Sequence, residues 1–155
     1  TSEHFFEHFT LEDGHRILKG WFATLRPGGV LRIVTPDLER ESLLYLRQLH
    51  VADDATVDNH RLGWLNTRYL FQERERLTRA MVINFGMRLD GHKFLYDMET
   101  LTQSLRLAGF DHLVRVEFGR SAHNELAGID LHDGGDSGRA FVPRLALIVE
   151  ATKPV

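Results

Sequence analysis

The segment Leu25-Arg26-Pro27-Gly28-Gly29-Val30-Leu31-Arg32-Ile33-Val34-Thr35-Pro36-Asp37 constrains the fold more than any other part of this chain. Its run from Val30 to Val34 is β-branched and leucine-rich, which suits a strand covered on both faces of a parallel sheet. Gly28 follows Pro27 at the end of a periodic apolar helix, where a residue with positive φ closes the last turn. Pro36 has no N–H to give to a sheet ladder, so the strand is predicted to stop near Thr35. A helix, a tight turn and a buried strand in immediate succession imply an α/β protein.

The remaining composition narrows the class. A length of 155 residues suffices for one domain with its own core. The net charge of −3 gives no electrostatic case for nucleic acid or an anionic membrane as partner. The chain has no cysteine, which excludes disulfides and thiolate metal sites. No apolar run approaches the roughly 20 residues of a membrane helix. The first residues are neither basic nor followed by an apolar stretch, so no secretory leader is visible and a cytoplasmic protein is expected.

Along the chain, Thr10 is the predicted N-cap of a helix from about Leu11 to Leu25, with Glu12 and Asp13 complementing its dipole. Ile17, Leu18, Trp21, Phe22 and Leu25 form its apolar face. Gly14 and Gly20 each cost it roughly 1 kcal/mol relative to alanine, so they weaken the helix or let another element come close. Asp37 caps a second helix to about His50, with Leu38, Leu43, Leu44, Leu46 and Leu49 on its buried side. After a polar loop, the aromatic and arginine-rich stretch from His60 to Leu89 reads as one broken helix or two, a helical insert over about 57–90. Asp97 is the predicted cap of a helix from about Met98 to Ala108, which Gly109 terminates. His112 to Phe118 alternates as a strand. Gly119 to Arg144 is predicted to be a long surface loop, or a connection with a little structure around Leu126 to Leu131, and Leu145 to Ala151 a last strand. No helical pattern separates these two strands, so they are expected to pair antiparallel.

The pair Glu7-His8 one helix ahead of Arg26-Pro27-Gly28-Gly29, followed by Gly91-His92-Lys93-Phe94-Leu95-Tyr96-Asp97 and Leu107-Ala108-Gly109-Phe110, resembles the C-terminal half of a class I S-adenosylmethionine-dependent methyltransferase. The resemblance runs from Ser2 to Pro154. It implies the C-terminal part of a Rossmann-like seven-stranded fold, with strands five to seven present, the last inserted antiparallel beside the fifth, and a helical insertion. Residues 1–155 are then a single partial domain. The glycine-rich turn after the first strand of that fold, its main cofactor site, is not in the chain. The parent protein is expected to be the enzyme, and this chain alone is expected to be inactive. The strand edge left by the missing half is expected to be exposed, with self-association through that edge or through the insert.

On that resemblance Ser2, Glu3 and His4 lie nearest S-adenosylmethionine, and His4 or His8 is the candidate base. Glu7, His92 and Tyr96 line the pocket of a small-molecule or saccharide acceptor. Some relatives with a similar Glu–His pair bind a divalent metal there with a distant histidine, for which His92 would be the candidate; no metal is assigned to the site on this reading. Two other readings remain open. His4-Phe5-Phe6-Glu7-His8 has the form H-x-x-E-H, which on a helix places His4 and His8 one turn apart as zinc ligands of a hydrolase. The chain also reads as a noncatalytic methyltransferase-like interaction module.

Overall fold

The computed structural model describes residues 1–46, 79–88, 91–131 and 142–155. They form a mixed α/β arrangement around a four-stranded open sheet. The strands are β1 (Ser2–Glu3), β2 (Val30–Pro36), β3 (Asp111–Arg115) and β4 (Ala146–Thr152). The longer helices are α1 (Leu11–Thr24), α2 (Leu38–Leu46), α3 (Arg79–Arg88) and α4 (Met98–Ala108), and one further turn, Val142–Leu145, leads into β4. The spatial order of strands is β1-β2-β4-β3. β1 lies parallel to β2, with Ser2 opposite Ile33 and Glu3 opposite Val34. β4 runs antiparallel to both β2 and β3.

The helix ends follow local chemistry. The Thr10 hydroxyl accepts from the Asp13 N–H at 3.2 Å at the start of α1, and Asp97 accepts from Thr100 N–H at 2.8 Å at the start of α4. Each satisfies an N–H that the helix itself leaves without a partner. Gly109 takes φ +105° just past α4 and the Phe110 N–H returns to Leu105 C=O, so only a residue without a Cβ fits cheaply. A Cβ there would also stand 2.9 Å from the Phe22 ring. The two glycines of α1 differ. A Cβ on Gly14 would lie 2.7 Å from Tyr96 Oη, whereas Gly20 has nothing within 4 Å.

One face of the sheet carries the main core. Leu31 and Ile33 of β2 and Leu147, Val149 and Ala151 of β4 pack with Phe6, Leu18, Tyr96, Leu101, Leu105 and Phe110. The alternating residues Val34, Ala146 and Ile148 cover the opposite face with Val116 and Phe118. Both faces of β2 are therefore buried, as its composition requires.

β2 ends near Thr35 as expected, its register with β4 running to Pro36 opposite Ala146, while several other expectations are corrected. The Asp37 N–H donates toward β4 and Val34 C=O accepts from His4 on the other side, so alternation turns the Pro36 nitrogen to the β1 side, beyond Glu3, where no bond is demanded. A fourth strand, β1, covers part of the β2 edge that was expected to be bare. The strand at Asp111–Arg115 is shorter than 112–118 and has an irregularity between Asp111 and Val114, although the Val116 N–H still reaches Ile148 C=O. Leu46 is exposed rather than buried in α2. The predicted helix beyond Leu46, the insert before Arg79, and Gly134, Gly135 and Gly138 lie outside the described residues.

The segment after Gly119 takes the second of its two expected forms, with a 3₁₀ turn over Asn124–Leu126, and it carries the buried Asp130. Arg32, placed within the apolar run of β2, is fully buried. Its Nε donates to Asp130 Oδ1 at 2.9 Å and its Nη1 to Glu150 Oε1 at 2.6 Å and to Arg120 C=O at 3.0 Å. The Asp130 carboxylate also accepts from the Gly119 N–H at 2.8 Å. Burial opposes the charge on Arg32, but the hydrogen bonds and charges of Asp130 and Glu150 outweigh it and hold its pKa above the ordinary value. Among the described residues no helix is long and apolar enough to cross a membrane.

Candidate functional site

The site is built where the chain leaves β1. His4 takes φ +46°, a left-handed conformation that a non-glycine residue adopts at a cost. Its N–H still bonds Val34 C=O at 2.9 Å, so β1 stays attached to β2 while the chain turns away. One turn of 3₁₀-helix follows over Phe6–His8. Phe6 enters the core and stacks on Tyr96 with ring centroids 4.9 Å apart. Glu7 is fully buried at the end of β2, where its Oε2 accepts from the Thr35 hydroxyl at 3.2 Å.

A second segment closes on Glu7. Its backbone carbonyl accepts from the N–H groups of Lys93 at 2.8 Å and Phe94 at 3.2 Å. That anchors His92, whose Nδ1 lies 2.9 Å from Gly86 C=O in the last turn of α3. Its Nε2 stands 3.9 Å from Glu7 Oε1, and His4 Nδ1 stands 3.3 Å from the same oxygen. The rings of His8 and His92 meet edge to face at 5.0 Å. One ligand atom from each of Glu7, His8 and His92 falls within a set no wider than 4.8 Å.

The electrostatics of Glu7 is a competition. Burial pushes its carboxyl up, but the contact with His4, a backbone hydrogen bond and the charges of His4 and His92 bring it below the ordinary carboxylate value. Glu7 is therefore ionised, buried and ringed by imidazoles. Its Oε1 makes no hydrogen bond of acceptable geometry.

The structure thus brings His4, Glu7, His8 and His92 together. It does not bring in Tyr96, whose ring is fully buried between Phe6 and Phe94, with its hydroxyl against Gly14 and without a hydrogen-bond partner. Burial raises the Tyr96 pKa to about 12. Ser2 is buried on β1 with its Oγ unpartnered. Both carboxylate oxygens of Glu3 lie 3.0 Å from the Leu131 N–H, which ties β1 to the segment beyond Asp130. The H-x-x-E-H spacing is corrected in one respect: His4 lies before the 3₁₀ turn that holds His8, so the two do not share a helical face, and the compact ligand set contains His92 in place of His4.

Comparison with family models, with curated proteins and with solved structures found no match to this chain. Fold and site define a mixed α/β protein with a histidine–carboxylate cluster at the carboxyl ends of two parallel strands.

Proposed function

We propose that this chain is the acceptor-side, C-terminal half of an S-adenosylmethionine-dependent methyltransferase acting on a small-molecule or saccharide hydroxyl. The observation that carries this reading is the strand order β1-β2-β4-β3, in which the last strand lies antiparallel beside β2. That is the arrangement the resemblance implies for the end of a seven-stranded methyltransferase sheet, with β2 as its fifth strand. The site also lies beyond the carboxyl ends of parallel strands, where open α/β sheets hold their ligands.

The residues present fit one edge of such a cofactor. Ser2 Oγ is buried without a partner on β1, and no described strand runs into a glycine-rich turn. In this reading Ser2, Glu3 and His4 form that edge. When bound, S-adenosylmethionine supplies an activated methyl group, so the protein's part is positioning the acceptor and removing its proton. In this reading His4 or His8 takes that proton as the base. Glu7 orients His4 through the 3.3 Å contact, and His92 lines the acceptor side with Glu7. Tyr96 would take part only through a movement that exposes its hydroxyl. A cytoplasmic location and self-association through the β1 edge or the insert belong to the same proposal.

Calorimetric titration with S-adenosylmethionine tests it, on this chain and on any longer protein that contains it. Saturable heat with the longer protein is expected; no heat with either leaves the noncatalytic interaction module as the better reading. The hydrolase reading loses its premise of two histidines on one helical face.

A further inference from the structure

We infer that Glu7, His8 and His92 form a binding site for a divalent transition metal, with zinc the best match to the ligand set. The inference stands on the geometry of the cluster and does not depend on methyl transfer.

The proton count around His92 is the first argument. Its Nδ1 lies 2.9 Å from Gly86 C=O. A carbonyl only accepts, so Nδ1 carries the proton. That leaves Nε2 as the ligand atom of His92, and it looks toward Glu7 Oε1 at 3.9 Å. A histidine whose far nitrogen is held by a backbone carbonyl is also the usual arrangement of a metal ligand, because the carbonyl fixes tautomer and ring orientation.

Glu7 supplies the second argument. Its side chain is fully buried and its Oε1 lacks a hydrogen bond. A buried carboxylate is costly without a counter-charge. Thr35 already serves Oε2 at 3.2 Å, and Oε1, 3.3 Å from His4 Nδ1, is the oxygen that faces the histidines. His8 is the third ligand, half-buried, with its ring against that of His92.

Distances set what must move. The ligand atoms span up to 4.8 Å. Bonds of about 2.0–2.2 Å to one ion bring ligand atoms to about 3.5 Å apart in a tetrahedral site. Small side-chain rotations of the two half-buried histidines close that gap without disturbing the sheet. Two imidazoles and one carboxylate match the His₂Glu set of zinc sites that keep a fourth position open. Imidazole nitrogen disfavours magnesium and calcium, which prefer oxygen ligands. His4 stays outside the set and orients Glu7.

The full chain, freed of metal with a chelator, is titrated calorimetrically with zinc chloride, and cobalt(II) is added separately to read the ligand-field absorption of the bound ion. One saturable equivalent of zinc and a tetrahedral-type cobalt spectrum are expected, with no comparable heat from magnesium chloride. His8→Ala and His92→Ala should each weaken zinc binding at least tenfold and abolish the cobalt spectrum. His15→Ala, whose ring bonds Ser104 instead, should change neither. Glu7 is buried, so Glu7→Gln is informative only beside His8→Ala, which removes a half-buried ring. Absence of saturable zinc binding would overturn the site, as would binding that survives both His8→Ala and His92→Ala.

Discussion

Replacing Arg32 by methionine keeps most of the side-chain volume and removes the charge. In the native protein the Arg32, Asp130 and Glu150 side chains are exposed by only 0%, 1% and 6%. The substitution deletes the bonds from Nε to Asp130, from Nη2 to Asp130, and from Nη1 to Glu150 and Arg120 C=O. It leaves two carboxylates in a place with almost no water. Breaking a buried ion pair from one side costs about 3–5 kcal/mol, because the remaining charge is unpaired. We take about 4 kcal/mol here, a large part of the roughly 5–15 kcal/mol that holds a domain folded. For a chain of this size that lowers the melting temperature by about 10 °C. Urea unfolding at neutral pH measures it, provided the slope with denaturant is unchanged. The same loop is tied through the Gly119 N–H to Asp130, so hydrogen exchange of residues 119–131 should accelerate more than that of β4. Adding Asp130→Asn and Glu150→Gln to Arg32→Met should recover about 2 kcal/mol, since the damage is uncompensated charge. A cost below about 1 kcal/mol for the single substitution would refute the reasoning. So would a triple variant no more stable than the single one.

Three further substitutions concern the core and a cap. Gly14→Ala places a Cβ 2.7 Å from Tyr96 Oη, so overpacking should outweigh the better helix propensity and cost about 1–2 kcal/mol. Tyr96→Phe removes a buried hydroxyl without a partner and should change stability by less than about 1 kcal/mol, while softening the effect of Gly14→Ala in a double-mutant cycle. Burial pushes its phenol up to about 12 in the folded protein from the ordinary 10.0. The raised pKa means that this contribution is fully present below pH 10 and is lost as pH rises toward 12, and Tyr96→Phe should remove that alkaline step from a stability profile. Asp97→Ala should cost about 1 kcal/mol at neutral pH by uncapping α4. The Asp97 carboxyl is held below its ordinary value of 3.8, chiefly by its hydrogen bonds to Thr100. Its stabilising share is therefore present above that value and lost as pH falls through the folded pKa, so wild type and Asp97→Ala should converge in acid when followed by urea unfolding.

What could be read from the sequence is what local rules determine. Thr10, Asp97 and Gly109 mark helix ends because the cap and the left-handed closing residue act within three or four positions. The antiparallel pairing of β3 with β4 follows from the lack of a helical crossover pattern between them. β1 could not be read, because two residues show no alternation; it is a strand only by virtue of the β2 edge beside it. Arg32 was hidden in an apolar run, and its partners lie 98 and 118 residues away. No periodicity reports a pairing at that separation.

The histidine cluster was half visible, and the hidden half explains why. The residues Glu7, His8 and His92 stood out by type, but the spacing of His4 and His8 suggested a helix. What replaces the helix is the φ of +46° at His4, a conformation that carries no sequence signal when the residue is not glycine. Held by the Val34 carbonyl, that turn ends β1 and drives Glu7 inward beneath His92. Strained backbone persists only where its surroundings over-determine it, and it concentrates at functional sites. Here the strain puts a charged carboxylate into the protein, against Thr35, where a hydrophobic residue would pack at lower cost. The left-handed histidine and the buried glutamate both cost stability, and a cation held by Glu7, His8 and His92 would offset that cost at the carboxylate.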